Sequence, residues 1–210
     1  MIHPSSELRH VNDAIGVGVY ATRDIPRGTI VWVMDELDQR ISPARLECLG
    51  ARYEALLDRY AYVGPGGERI LCWDLARFVN HSCEANGVST GWDFDIAVRD
   101  IAAGEEITND YGALNLERSF SCRCGATRCR RTVRPDDFEV LADAWDAQVR
   151  DAYPELLRVV QPLWKWIPHK RRVSAAARDP RRLPSIRRHH FAAGPAPRAA
   201  RLPRIASAGG

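Results

Sequence analysis

The sequence predicts a mostly β chain with a few helices, and three observations carry that prediction. Short runs of β-branched and aromatic residues recur between Pro- and Gly-marked turns from Ile15 to Tyr111. Apolar residues at helical spacing are confined to two stretches, 43–58 and 136–160. Beyond Pro168 the composition turns to Arg, Pro and Ala with almost no periodicity, too little apolar surface to offset the entropy of ordering, which predicts a disordered tail.

Taken in order, residues 1–14 carry little signal. Ile15–Ala21 has strand spacing interrupted by Gly16 and Gly18, either a bulged strand or a place where a ligand approaches the backbone. Asp24–Gly28 is a turn, and Thr29–Met34 reads as a buried strand. Ser42 is an N-cap before Pro43, and Leu46, Leu49, Tyr53, Leu56, Leu57 and Tyr60 then form one helical face. Tyr60–Val63 and Arg69–Trp73 read as strands joined across Gly64-Pro65-Gly66-Gly67. Phe94–Arg99 and Glu106–Tyr111 are further strands about the turn at Gly104. Asp136–Val160 is helical, its stripe of Phe138, Leu141, Trp145, Val149 and Leu156 broken near Pro154.

A chain of 210 residues holds one substantial domain plus an appendage. Its net charge of +3 conceals a division. From Lys165 onward twelve basic residues face one acid, Asp179, whereas residues 1–164 carry a charge of −8. This predicts an acidic body that favours a basic partner and a basic tail able to neutralise phosphates without reading sequence. No secretory leader and no apolar run near the ~20 residues of a spanning helix are present, so a soluble, intracellular, cytoplasmic monomer is expected. Six Cys are present, and three of them, Cys122, Cys124 and Cys129, crowd into eight positions, which points to metal rather than disulfides. Cys48 and Cys72 read as buried small hydrophobes.

The chemistry-bearing stretches are Ala76–Asn86, with its Asn80-His81-Ser82-Cys83 run, then Gly104–Gly112, then Cys122–Cys129. In this order, behind Gly16-Val17-Gly18, they resemble the SET-domain protein lysine methyltransferases that carry a cysteine-rich post-SET segment, over about Asn12 to Cys129. The resemblance implies a fold of small curved sheets in which 80–86 is tucked through a pseudoknot with the segment around Tyr111. It divides the chain into a catalytic domain at 12–115, a zinc-binding segment at 116–134, a helical segment at 135–167 and the basic tail at 168–210. It implies S-adenosylmethionine as cofactor, contacted by Gly16, Val17, Gly18, Val19, Asn80, His81 and Tyr111. Tyr111 would be the catalytic tyrosine, and Cys83 would join Cys122, Cys124 and Cys129 around one structural zinc ion. Tyr60, Asn109 and Trp92 would line the lysine channel. The expected activity is methyl transfer to a lysine amine of a basic protein.

Each assignment has a plainer reading: Tyr111 as a core tyrosine, His81 as a satisfied buried histidine, Tyr60 as packing on its helix. Two departures stand out. The family usually has Tyr or Phe where this chain has Asn109, and Val33-Met34-Asp35-Glu36 replaces the usual Tyr-x-Gly-Glu. A scaffold that keeps the fold, has lost turnover and reaches nucleic acid through its tail is the competing expectation.

Overall fold

The computed structural model describes residues 1–192. In chain order its elements are β1 (Ser6–Asn12), β2 (Gly16–Ala21), β3 (Ile30–Val33), β4 (Gln39–Ile41), α1 (Pro43–Glu47), α2 (Ala51–Tyr60), β5 (Ala61–Val63) and β6 (Arg69–Leu71). There follow β7 (Asn80–His81), β8 (Gly87–Ser89), β9 (Phe94–Ala97), β10 (Glu106–Asn109), β11 (Phe120–Ser121), β12 (Thr132–Val133), α3 (Asp137–Ala152) and α4 (Lys170–Arg178). The strands form four small sheets: β1-β2-β10-β7, β3-β9-β8, β4-β6-β5 and the pair β11-β12.

The sheet β3-β9-β8 separates two cores. Neighbours Ile30 and Val31 on β3 join different clusters, as do Ile96 and Ala97 on β9. One cluster, with Val19, Ala21, Ile25, Ile101 and Ile107, lies under the sheet that holds β2 and β10. The other is larger and is completed by helices: Phe138, Trp145 and Val149 of α3, then Tyr153, Leu156, Leu163 and Ile167, then Val173, Ala176 and Ala177 of α4. The stripe read from the sequence over 136–160 is therefore a packing stripe, and the chain does turn out of α-helix before Pro154.

Three expectations need correction. The helix expected over 43–58 is interrupted at Gly50, the N-cap of α2. Of its proposed apolar face only Leu57 is buried, while Tyr53 stays 59% exposed. Cys48 is exposed, whereas Cys72 is buried as expected. Most consequentially, the described part of the stretch expected to be disordered is folded. Val173, Ala176 and Ala177, at the i, i+3, i+4 spacing of a helix face, are buried by α4, and Ile186 is fully enclosed in the larger core. Ile186 N–H donates to Asp146 at 2.8 Å, Phe191 N–H donates to Asn115 at 2.9 Å, and a Cβ at Gly91 would sit 2.2 Å from the Pro184 carbonyl oxygen. The arginines ride outside this seam. Arg181 and Arg182 pair with Asp179, and Arg187 pairs with Asp143. Expectations for 193–210 lie outside the described residues.

This packing changes the electrostatics. Residues 1–192 hold 27 basic and 27 acidic side chains, so the acidic body expected from 1–164 is neutralised by its own C-terminal segment. No helix among the described residues is long and apolar enough to cross a membrane.

Candidate functional site

Strand β10 is the spine of the site. It pairs antiparallel with β2 through Glu106 and Ile107, then parallel with β7 through Thr108–Asn80 and Asn109–His81. Asn86, fully buried, binds the segments together: its amide donates to the Glu106 carbonyl at 2.8 Å and its oxygen accepts from Thr108 N–H at 2.9 Å. The tuck of 80–86 beside the segment leading to Tyr111 is thus formed, and Asn86 is its hydrogen-bond hub.

Tyr111 begins a short 3-10 turn capped by Asp110, whose carboxylate accepts from Gly112 N–H. The Tyr111 hydroxyl donates to the Val79 carbonyl at 2.8 Å, and its backbone N–H donates to His81 Nδ1 at 3.1 Å. Burial, helped by the nearby Glu106 carboxylate, pushes this phenol up to about 12, so it stays protonated at neutral pH. Asn80 uses its amide within the protein, donating to the Val17 carbonyl at 3.0 Å and to Glu106 Oε1 at 2.7 Å. That arrangement explains Gly18: a Cβ there would sit 2.1 Å from Glu106 Oε1. Gly16 is required for another reason, its φ of +89°. Val19 is fully buried, its side chain in the smaller core.

Beside this knot the cysteines converge. Cys83 Sγ lies 3.8 Å from Cys122 Sγ, which is the edge of a tetrahedron of sulfurs each about 2.3 Å from a shared centre. Cys129 Sγ lies 3.7 Å from the Cys122 carbonyl oxygen. Backbone N–H groups point at three sulfurs: Arg130 to Cys83 at 3.4 Å, Cys83 to Cys124 at 3.5 Å, and Arg131 to Cys129 at 3.4 Å. Burial pushes the Cys83 and Cys122 thiols up; Cys124, also opposed by burial, is brought down to about 7 by the N–H groups of Cys83 and Ala126. The donor set fits a soft tetrahedral cation.

His81 also stands in this cluster: its ring nitrogen, Cys83, Cys122 and Cys124 lie within 4.8 Å of one another. Its Nδ1 accepts from Tyr111 N–H, so a neutral ring carries its proton on Nε2, which faces Cys83 Sγ at 3.3 Å. Cys129 does not belong to this mutually close set, and the His81 ring also places Nδ1 3.5 Å from Asp110 Oδ1. Asp110 ties the two halves together, receiving both guanidinium nitrogens of Arg130 at 2.7 Å beside Cys129.

Two cavities meet at Tyr111. The smaller, about 150 Å³, is lined by Trp32, Tyr62, Trp92, Asp95, Asn109 and Ile186 among others; the larger, about 420 Å³, by Arg59, Tyr60, Arg77, Glu117 and Phe120. Tyr111, Val79, Ala76 and Tyr62 belong to both. Of the three proposed channel residues, Asn109 and Trp92 face the smaller cavity, while Tyr60 faces the larger and stacks edge-on against Phe78 at 5.4 Å. Gly16, Val17, Gly18, Asn80 and His81 line neither, although Arg59 of the larger cavity comes within 3.9 Å of the Cβ position at Gly16. Sequence reading missed Tyr62, two residues beyond Tyr60, and Asp95, whose alternation in a strand gave no cue that it faces a cavity.

The model of the SET domain matches residues 16–112. A variant-silencing SET domain-containing protein of Plasmodium falciparum is 31% identical over 132 residues, covering 54% of this chain and 5% of its own length. The putative histone-lysine N-methyltransferase ASHH4 of Arabidopsis thaliana is 28% identical over 140 residues, covering 56% of this chain and 36% of its own. The crystal structure of KRYPTONITE in complex with mCHG DNA and SAH aligns over 61% of this chain and 28% of its own, with 24% identity and a TM-score of 0.44. The chain thus spans well under two thirds of these curated relatives. From the first glycine of β2 to the turn that holds Tyr111, residues 16–112, this chain carries a SET domain.

Proposed function

We propose that the chain is an S-adenosylmethionine-dependent protein lysine N-methyltransferase. One observation carries the reading: Tyr111 is shared by two cavities. Displacement at a methyl carbon needs nucleophile and leaving group on opposite sides of it, and two cavities that share a wall including Tyr111, Val79, Ala76 and Tyr62 would give each its own side.

Bound in the larger cavity, the cofactor supplies a methyl group on a positively charged sulfur. Arg59 and Arg77 would meet its carboxylate, Tyr60 and Phe120 its base, and the Gly16–Gly18 loop would stand behind Arg59. Tyr111 does not act as a base, because its proton is retained and committed to Val79. Its oxygen keeps lone pairs for the polarised C–H groups of a methyl carrying partial positive charge. The target amine would enter the smaller cavity, where Trp32, Tyr62 and Trp92 exclude water.

Cys83, Cys122, Cys124 and Cys129 would hold one zinc ion, which fastens the 116–134 segment to the knot and takes no part in the chemistry. The substrate proposed is a basic protein, as the histone-lysine N-methyltransferases among the relatives suggest. Neutral net charge over 1–192 means that local contacts near the cavity mouth select it, rather than a bulk field. The test is incubation of the purified chain with isotope-labelled cofactor and lysate of the source cells, followed by mass spectrometry. Label on lysine is expected; cofactor binding without label on any protein would leave the scaffold reading in its place.

A further inference from the structure

The smaller cavity contains a side chain that the transfer chemistry above does not use. Asp95 sits on β9, the middle strand of its sheet, and is 8% exposed. Asn109 donates its amide to Asp95 Oδ2 at 2.7 Å and to the Ser89 hydroxyl oxygen at 3.4 Å, and Ser89 on β8 is the cross-strand partner of Asp95. No Lys, Arg or His among the described residues forms an ion pair with it. Buried carboxylates are ordinarily paired with a cation, because desolvating an isolated charge is costly. Burial accordingly holds this one up at about 6.

The partner missing from the protein matches what the cavity would admit. Around Asp95 stand Trp32, Tyr62 and Trp92, with Trp32 and Tyr62 edge to face at 6.3 Å. The buried indole N–H of Trp32 has no acceptor among the described residues. Aromatic faces with one carboxylate suit an alkylammonium group: the rings attract diffuse positive charge, and the carboxylate accepts N–H hydrogens. Anions would be repelled, and neutral apolar groups would leave the carboxylate unpaired.

We propose that Asp95, positioned by Asn109 and Ser89, is a substrate-binding residue that recognises an amine through its N–H hydrogens and so discriminates unmethylated from fully methylated forms. As a statement about lysine this rests on the methyltransferase reading; as an alkylammonium site it stands on the cavity alone. An amine bearing hydrogens donates to Asp95. A quaternary one cannot, and it presents three methyl groups to a carboxylate that keeps its desolvation cost. Asn109 acts through Asp95, fixing its rotamer, which gives a role to the residue that departs from the usual aromatic.

The test uses the full chain with n-butylammonium, N,N,N-trimethylbutylammonium and 1-butanol, followed through the indole N–H resonances of Trp32 and Trp92. Saturable binding of n-butylammonium is expected, several-fold tighter than the trimethyl form and at least about tenfold weaker in Asp95→Asn. Asp93→Asn makes the same charge change at an exposed position of the cavity rim and should leave binding unaltered. Binding of 1-butanol should not respond to either substitution. The proposal is overturned if the parent does not bind n-butylammonium, if Asp95→Asn binds it equally well, if Asp93→Asn weakens it as much, or if both ammonium probes bind alike. Cofactor affinity, measured separately, reports on the methyltransferase reading: a chain that binds the amine through Asp95 but no cofactor keeps this site and loses that function.

Discussion

The two flanks of Tyr111 are built by opposite logic. On one side, short irregular segments bring Cys83, Cys122, Cys124 and Cys129 together with little core beneath them; β11 and β12 are two residues each. On the other, the cavity around Asp95 is walled by residues of three sheets and by the C-terminal segment through Ile186 and His189. The first flank gains its order from what it would bind, and the second holds its shape by packing and carries an uncompensated charge within it. Loss of ligand should therefore unravel one flank, whereas loss of packing should loosen the other.

The largest effect is expected on the sulfur side. Chelation of the proposed zinc, or Cys122→Ser, should release about one ion per chain and expose the amides of 116–134 to exchange while α3 stays protected. A metal-free preparation with unchanged protection there would remove the ligand assignment. At the junction itself, Tyr111→Phe deletes the hydroxyl and leaves the Val79 carbonyl without its donor. Methyl transfer should fall by about 100-fold or more, with cofactor affinity nearly unchanged by calorimetry. A rate equal to the parent's would take Tyr111 out of the chemistry.

The same contrast explains what the sequence disclosed. The sulfur flank was legible because a coordination shell demands fixed residue types at close spacing, so Cys122, Cys124 and Cys129 announce themselves even without a fold. Tyr111 was singled out by Gly104-Glu105-Glu106 before it and Gly112 after it. The strands β2, β3, β5, β9 and β10 and helix α3 followed from periodicity. By contrast, a cavity is assembled from residues far apart in sequence, and nothing local marks them. Asp95 lies in an alternating strand, Tyr62 is one of several aromatics, and Ile186 is set in a run whose arginines dominate its composition. The same arginines hid α4: Val173, Ala176 and Ala177 supply a narrow apolar face, and composition averaged over the segment dilutes it. β1 was missed because most of its residues are exposed, its order coming from pairing with β2 rather than from an apolar face.

On the packed flank, Ile186→Ala removes a fully buried side chain that closes both the larger core and the cavity wall. It should cost about 2–5 kcal/mol, read as a lower urea midpoint, and should leave zinc content unchanged. Metal loss together with this substitution would show that the flanks are coupled, against the contrast drawn above.

Asp95→Asn should move stability the other way, by the smallest amount. The folded state holds the Asp95 proton more tightly than an unfolded chain does, at about 6 against an ordinary 3.8. Its contribution is therefore most favourable below about pH 4 and is lost as pH rises through about 6, costing at most about 3 kcal/mol at neutral pH. The titratable groups facing it do not supply the missing charge: Tyr62 and Cys72 are themselves held up by burial, and of the cations only the N-terminal ammonium pulls on it. The neutral amide keeps the shape and abolishes this pH dependence. Thermal melts should place Asp95→Asn above the parent at pH 7.5, with the gap closing near pH 4. Equal melting temperatures at pH 7.5 would mean that the carboxylate is already compensated in the folded protein. A variant more stable than the parent and weaker for ammonium is what a residue retained for binding rather than for packing should give.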